Sequence, residues 1–558
     1  MRRAWRTVLL SIALVASPGL AFAQETDITQ TPNKAMAGIK KSLREQVGGG
    51  RGDLLTPNSS IMLIGRDPFR AIARGRQLFQ RKFTVAQGFG PRTNDGIGSI
   101  GRHASLGAGL ADSCASCHGR PQGSAGFGGV VFTRPSSRDA PHLFGLGLVE
   151  MIADEITAEL RYIKAQAVSA SFASGEPVSM RLVSKGVDYG VITASCGEYA
   201  HRGTLERCAD DGHIDLSGVV GVDADLRVRP FFAEGGSFSI REFVVGAFNA
   251  EMGLESYDLD LQFASAGRRV TTPSGMVLDG SLDEFEAPPA DDAAHDPDGD
   301  GVIGEVPASL VDYMEFYLLN YFRPAVRRES AEAWLEAGSG TWLDAGLPPA
   351  SDGRKLFSRI GCAVCHVPDL VLEVDRRVAD VDTVLDKRRG NPFNSLFATV
   401  EPLFYKARQD GSGYASVKAA VGAPFVVKNL FADFKRHDLG RNFWEQNFTG
   451  TWQQEFITEP LWGVGSTAPY GHDGRSPTLD DVILRHGGEA EGSRDAYELL
   501  DKPDRDAVLA FLGTLVLYSP PSTASSIGSR DVNAERYPME GHGSIDLSQL
   551  FNNPRDKE

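Results

Sequence analysis

The sequence predicts a mainly α fold, and three observations predict it. Apolar residues recur at helical spacing in several segments separated by glycine- and proline-rich stretches. A short pattern repeats, with Arg74-Gly75-Arg76-Gln77-Leu78-Phe79 echoed by Gly353-Arg354-Lys355-Leu356-Phe357. Downstream of each copy stands a Cys-x-x-Cys-His sequence, first Cys114-Ala115-Ser116-Cys117-His118 and then Cys362-Ala363-Val364-Cys365-His366.

Cys-x-x-Cys-His is the attachment signature of c-type haem. The two sulfurs form thioethers to the porphyrin vinyls, and the short turn aims the adjacent imidazole at the iron. One such motif also suits half of a zinc or thiol-redox site. Two in a chain with an export signal point to two covalent haems, with Cys/His zinc sites as the alternative. His118 and His366 are then the proximal ligands. Each repeat with its motif reads as the start of a cytochrome c-like haem domain: a helix whose Leu-Phe end packs near the porphyrin, then the attachment turn. The expected fold is two such domains with long loops and a small β/disulfide insertion in the first.

In chain order, residues 1–23 read as a signal peptide. Arg2, Arg3 and Arg6 precede an apolar run from Val8 to Val15, and Ala21-Phe22-Ala23 is a small-x-small cleavage site. The run is too short for a stable membrane anchor, so the expected location after cleavage near Ala23 is periplasmic or secreted. Residues 24–325 form the first expected domain. Helical spacing runs from Asp67 to Phe79, Leu146 to Ala165, Phe238 to Leu254 and Leu310 to Tyr321, the last ended by Pro324. An insertion at about 180–230 holds two short strands, Arg181-Leu182-Val183 and Val187 to Ile192. It also holds Cys196 and Cys208, the two cysteines outside the haem motifs. In an oxidising compartment they pair, stabilising that loop by about 3 kcal/mol in the chain-entropy model; two free thiols are the alternative. Residues 326–519 form the second domain, and Pro520-Pro521 opens a tail to residue 558 that is extended or disordered.

The run Asp296-Pro297-Asp298-Gly299-Asp300-Gly301-Val302 has the first half of an EF-hand loop. Side-chain oxygens at Asp296, Asp298 and Asp300 are followed by glycine and by the Val302 carbonyl. Position 12 is Pro307, so the usual glutamate is missing and Glu305 is the substitute. The loop is either a calcium site or a plain acidic turn.

Ala468-Pro469-Tyr470-Gly471-His472-Asp473-Gly474, followed by Val482-Ile483-Leu484-Arg485-His486-Gly487-Gly488, resembles the bacterial di-haem cytochrome c peroxidase superfamily. Leu143-Phe144-Gly145-Leu146-Gly147-Leu148, the block from Arg241 to Gly253, the aspartate loop and Pro460-Leu461-Trp462-Gly463 bring it nearest to the di-haem oxidoreductase branch once labelled thiol oxidoreductases. The resemblance implies that His486, where the peroxidases carry methionine, is the sixth ligand of the C-terminal haem. That haem would be bis-histidine with a lowered potential. It implies that the N-terminal haem is catalytic, with Glu251 as acid/base and Asn249 positioning peroxide. The peroxidases' activating histidine lies in a loop whose counterpart, 119–135, has none; His142 and His103 are the nearby alternatives. The tryptophan that the peroxidases place between the haems is absent from Pro230-Phe231-Phe232-Ala233, and Trp462 is a substitute or a core residue.

The expected function is thus peroxide reduction at the N-terminal haem, with electrons relayed through the C-terminal haem from a small redox protein, a cytochrome c or cupredoxin. The alternatives are a di-haem oxygenase or oxidase and a non-catalytic electron-transfer protein. The formal net charge of −16 argues against nucleic acid as a partner and suits a basic donor.

Overall fold

The computed structural model describes residues 42–88, 112–118, 138–196, 213–326, 350–385, 396–403, 405–406, 417–418, 424–446, 450–517 and 543–546. The signal peptide, His103, Cys208, the 119–135 loop and most of the tail lie outside the described residues.

The hub is the helix Ala308–Leu319, in which every residue from Ser309 onward is buried. A helix apolar on all sides must be packed on all sides. The helices Pro68–Gln80, Leu146–Ser174 and Ile240–Met252 surround it. The first starts where the sequence says it should: Asp67 caps the Arg70 amide and Pro68 takes the first turn. Close approach of these helices relies on glycine. A Cβ on Gly75 would lie 2.3 Å from the Tyr313 carbonyl oxygen, and one on Gly147 would lie 2.0 Å from that of Leu319.

A buried ionic network ties the Ile240–Met252 helix to the hub. Arg241 is fully buried. Its Nε and Nη2 donate to Asp258 at 2.8 and 2.6 Å, and its Nη1 to Asp312 at 3.0 Å and Glu315 at 2.8 Å. Arg51 joins Asp260 and Asp312 from the side. Two guanidinium groups thus face four carboxylates. Burial pushes the Asp312 carboxyl up to about 6, against the pull of Arg241 and Arg51. Breaking such a network from one side strands buried charge.

The expected mainly α class does not hold. The chain is 39% helix and 16% strand, and the strands fall into nine small sheets among the described residues. Val178–Ser184, Val187–Ala194 and Ile214–Asp215 form one antiparallel sheet within the insertion. Most of the other strands lie between Leu370 and Ile457, where short hairpins pair locally. Ala379–Leu385 runs antiparallel to Leu396–Pro402, whose far edge takes Gly543–Asp546 from the tail. The physical reason is in the residues: Val381, Thr383, Val384 and Leu385 are β-branched or apolar, and Asp380 and Asp382 fall on the alternate positions at the start of the strand.

Nor do two separate cytochrome c-like helical domains stand out. The larger apolar core runs from Val47 to Leu517 and draws on both halves of the chain. A smaller core beside the second Cys-x-x-Cys-His packs Leu356 and Phe357 of the helix Ala350–Arg359 on Val508, Phe511 and Leu512 of the helix Lys502–Leu512. No helix of the described residues is long and apolar enough to cross a membrane.

Candidate functional site

Both Cys-x-x-Cys-His motifs open onto one cavity of about 760 Å³. Cys114, Cys117 and His118 line one part of it, and Cys362, Cys365 and His366 another. The first motif is a single helical turn, Cys114–His118. The second is a short 3-10 turn beginning at Cys362, directly after the Ala350–Arg359 helix. Neither motif gathers its own cysteines and histidine within 4.8 Å. Among the described residues, the one cluster containing a motif cysteine is Cys365 with Asp433 and His437. A tetrahedral zinc site would require that convergence; thioethers spread along a porphyrin edge do not.

Three histidines on the cavity wall share one hydrogen-bond signature. His118 donates Nδ1–H to the Pro141 carbonyl at 2.7 Å, His366 to that of Phe431 at 3.0 Å, and His486 to that of Val482 at 2.6 Å. A backbone acceptor at Nδ1 fixes the tautomer and leaves the Nε2 lone pair for a metal. Burial lowers the pKa of all three, that of His366 to about 4, which favours the neutral imidazole. His486 follows the helix Leu479–Arg485 as its C-cap.

His142 differs. Its Nε2–H donates to the Trp462 carbonyl at 2.7 Å, and its Nδ1 accepts the Phe144 amide at 3.2 Å. Both ring nitrogens are used, so His142 is not placed as an iron ligand. Burial, opposed by that carbonyl, sets its pKa to about 4.

Glu251 lines the cavity beside Val244, Ala247 and Phe248, the positions that share one face of the Ile240–Met252 helix. Asn249 is on the same helix but not on the cavity wall. Trp462 is buried and forms part of the wall. In the insertion, Cys196 is disulfide-bonded and fully buried; its expected partner Cys208 lies outside the described residues. At the aspartate loop, Asp298, Asp300 and Glu305 bring carboxylate oxygens within 4.8 Å, as do Glu255, Asp296 and Asp298. The Val302 amide donates to Asp300 at 2.5 Å.

Several wall residues escaped sequence reading. Arg138 pairs with Glu234 at 3.0 Å and with Glu445. His472 stacks on Phe456, ring centroids 4.1 Å apart. The buried Arg138 Nε and His472 Nε2 atoms have no hydrogen-bond partner in the protein. Glu459 faces the cavity, where enclosure raises its carboxyl to about 7 against the nearby Arg138. His437 bridges Asp433 at 2.9 Å and Glu489 at 2.8 Å; burial opposes its charge, but Asp433, then Cys365 and Glu489, raise its pKa to about 11. His472 stands in the Ala468–Gly474 pattern; the others carry no motif. His437 stands among Lys435, Arg436 and Asp438, which reads as an exposed charged run.

The donor set fits haem. The rings of His118, His366 and His486 line an apolar, aromatic cavity that both motifs share. No curated protein matches the chain. Residues 394–515, which carry His472, His486 and the aromatic wall around them, match the family model described as di-haem oxidoreductase, putative peroxidase.

Proposed function

We propose that the chain is a peroxidase holding two covalent c-type haems, one on Cys114 and Cys117 with His118 as proximal ligand, the other on Cys362 and Cys365 with His366. The haems supply the redox chemistry; the protein supplies ligation, proton handling and exclusion of water. His486 completes bis-histidine ligation at the second site. At the first, the observation that carries the reading is His142: with both nitrogens engaged, it would not compete for an iron held by His118, and Glu251 lines the same cavity with the apolar face of its helix. Glu251 there moves a proton between the two oxygens of peroxide, which is the acid/base work that O–O cleavage needs.

Electrons reach the C-terminal haem from a small redox protein, a cytochrome c or cupredoxin, outside the cytoplasm after removal of residues 1–23. The aspartate loop holds calcium, with Glu255 and Glu305 completing what Asp296, Asp298, Asp300 and the Val302 carbonyl begin. Chelation then lowers the thermal midpoint of the loaded protein and calcium restores it; an unchanged midpoint removes the ion.

Low-temperature electron paramagnetic resonance on the oxidised protein tests the central reading. One high-spin and one bis-histidine low-spin signal, with peroxide turnover driven by a reduced cytochrome, are expected. Two low-spin signals without turnover would make the chain an electron carrier. Turnover of an organic substrate with oxygen but not of peroxide would make it an oxygenase.

A further inference from the structure

The two proximal histidines are joined by an unbroken run of covalent and hydrogen bonds. His118 Nδ1–H meets the carbonyl of Pro141 at 2.7 Å. Pro141 is peptide-bonded to His142, whose Nε2–H meets the carbonyl of Trp462 at 2.7 Å. Trp462 is peptide-bonded to Leu461, whose amide donates to the Leu430 carbonyl at 3.1 Å. Leu430 is peptide-bonded to Phe431, whose carbonyl accepts His366 Nδ1–H at 3.0 Å. Four hydrogen bonds therefore carry the run from one ligand to the other. His142 is its one side-chain link between the two ends.

We propose that His142 is the coupling residue between the two haem sites, and that electrons pass between the proximal histidines through its bond to the Trp462 backbone rather than through the Trp462 indole. This rests on the di-haem reading above and goes beyond it by naming the route. Each end of the run terminates on the Nδ1 of a ligand whose other nitrogen faces the iron, so the route enters both sites through the metal's own ligand. Leu430 and Trp462 are buried, while His142 is half-buried and Pro141 exposed on the cavity wall. The arrangement accounts for the missing tryptophan near Pro230-Phe231-Phe232-Ala233, since the link crosses elsewhere and uses a backbone carbonyl that any residue supplies. The step is the movement of one electron, the C-terminal iron going from ferrous to ferric and the N-terminal iron from ferric to ferrous. No bond forms or breaks, and His142 keeps its proton.

The test is the rate of that transfer, read optically after fast photoreduction of the doubly ferric, haem-loaded protein by one electron, with no peroxide present. His142→Phe removes the donor, His142→Gln keeps one, and Trp462→Phe removes the indole but leaves the carbonyl. Expected is a rate slowed several-fold or more in His142→Phe, largely restored in His142→Gln and near the parent value in Trp462→Phe. Both reduction potentials should be unchanged, which a general disturbance of the sites would not allow. A parent-like rate in His142→Phe overturns the proposal. So does a Trp462→Phe rate as slow as or slower than that of His142→Phe, which would assign the route to the indole. If His142→Phe fails to load its haems, His142→Leu takes its place in the comparison, and a parent-like rate there, or a Trp462→Phe rate as slow as or slower than it, overturns the proposal. Because peroxide is absent, loss of peroxidase activity would sink the functional reading without touching this rate.

Discussion

His486 donates its Nδ1–H to the carbonyl of Val482, one helical turn back, at 2.6 Å. The helix end thereby aims Nε2 into the cavity, and the ring packs edge-on to Phe443 with centroids 5.2 Å apart. His486→Met should keep the C-terminal haem six-coordinate and raise its reduction potential, because thioether ligation favours the ferrous state. His486→Ala should convert its low-spin signal to high-spin. Redox titration and paramagnetic resonance read both; an unmoved potential in His486→Met would show that the histidine caps the helix and nothing more.

Glu251 faces the cavity and Asn249 does not. Glu251→Gln is nearly isosteric and removes the acid/base. Peroxide turnover should fall by roughly 10²–10⁴-fold, the usual worth of a positioned proton-transfer group, with haem spectra unchanged. Asn249→Ala should turn over like the parent. Equal activity in both variants would move the proton chemistry to another wall residue, with Glu459 the first to test.

Gly147 lets the Leu146–Ser174 helix touch the backbone of the hub helix. A methyl group there would sit 2.0 Å from the Leu319 carbonyl oxygen, so one helix must move. Gly147→Ala should cost about 1–3 kcal/mol, the usual range for overpacking, read as a shift in denaturant midpoint. A neutral result would mean that the two helices are not held at this distance.

Asp312 gives a pH dependence with a defined sign. Its folded pKa is raised from 3.8 to about 6. The stability that this carboxyl contributes is therefore fully present below about 4 and is lost as pH rises through about 6. Between those values the native state binds the proton and the unfolded state does not. Asp312→Asn should flatten the fall in stability between pH 4 and 7 relative to the parent. A steeper fall in the variant would mean that Asp312 is ionised throughout, neutralising Arg241 and Arg51.

The helices were legible because their signals are local. Asp67, Pro68 and the spacing to Phe79 mark the Pro68–Gln80 helix within a residue or two, and the apolar run near Leu310 marks the hub. Most strands between Leu370 and Ile457 are two or three residues long and leave almost no period to detect; the seven-residue Ala379–Leu385 and Leu396–Pro402 are long enough to show one, but Asp380, Asp382 and Glu401 interrupt their apolar runs. The Cys-x-x-Cys-His motifs and the position of His486 stand in the sequence, one as chemistry and the other through a shared pattern. What no local pattern carries is the state of a ring nitrogen. His142 was a candidate ligand until a carbonyl 320 residues away was found on its Nε2. Arg138, Glu459 and His437 were likewise invisible, since each is defined by partners brought in by folding.

The larger core, which takes in Ala115 and Cys114 of the first motif, draws on Val47 near one end of the described chain and on Leu517 near the other. A chain made from its N-terminus cannot complete that core until nearly all of it has been synthesised. On the covalent-haem reading proposed above, that order matters: a prosthetic group joined to Cys114 before the core is complete would be enclosed as the last segments pack.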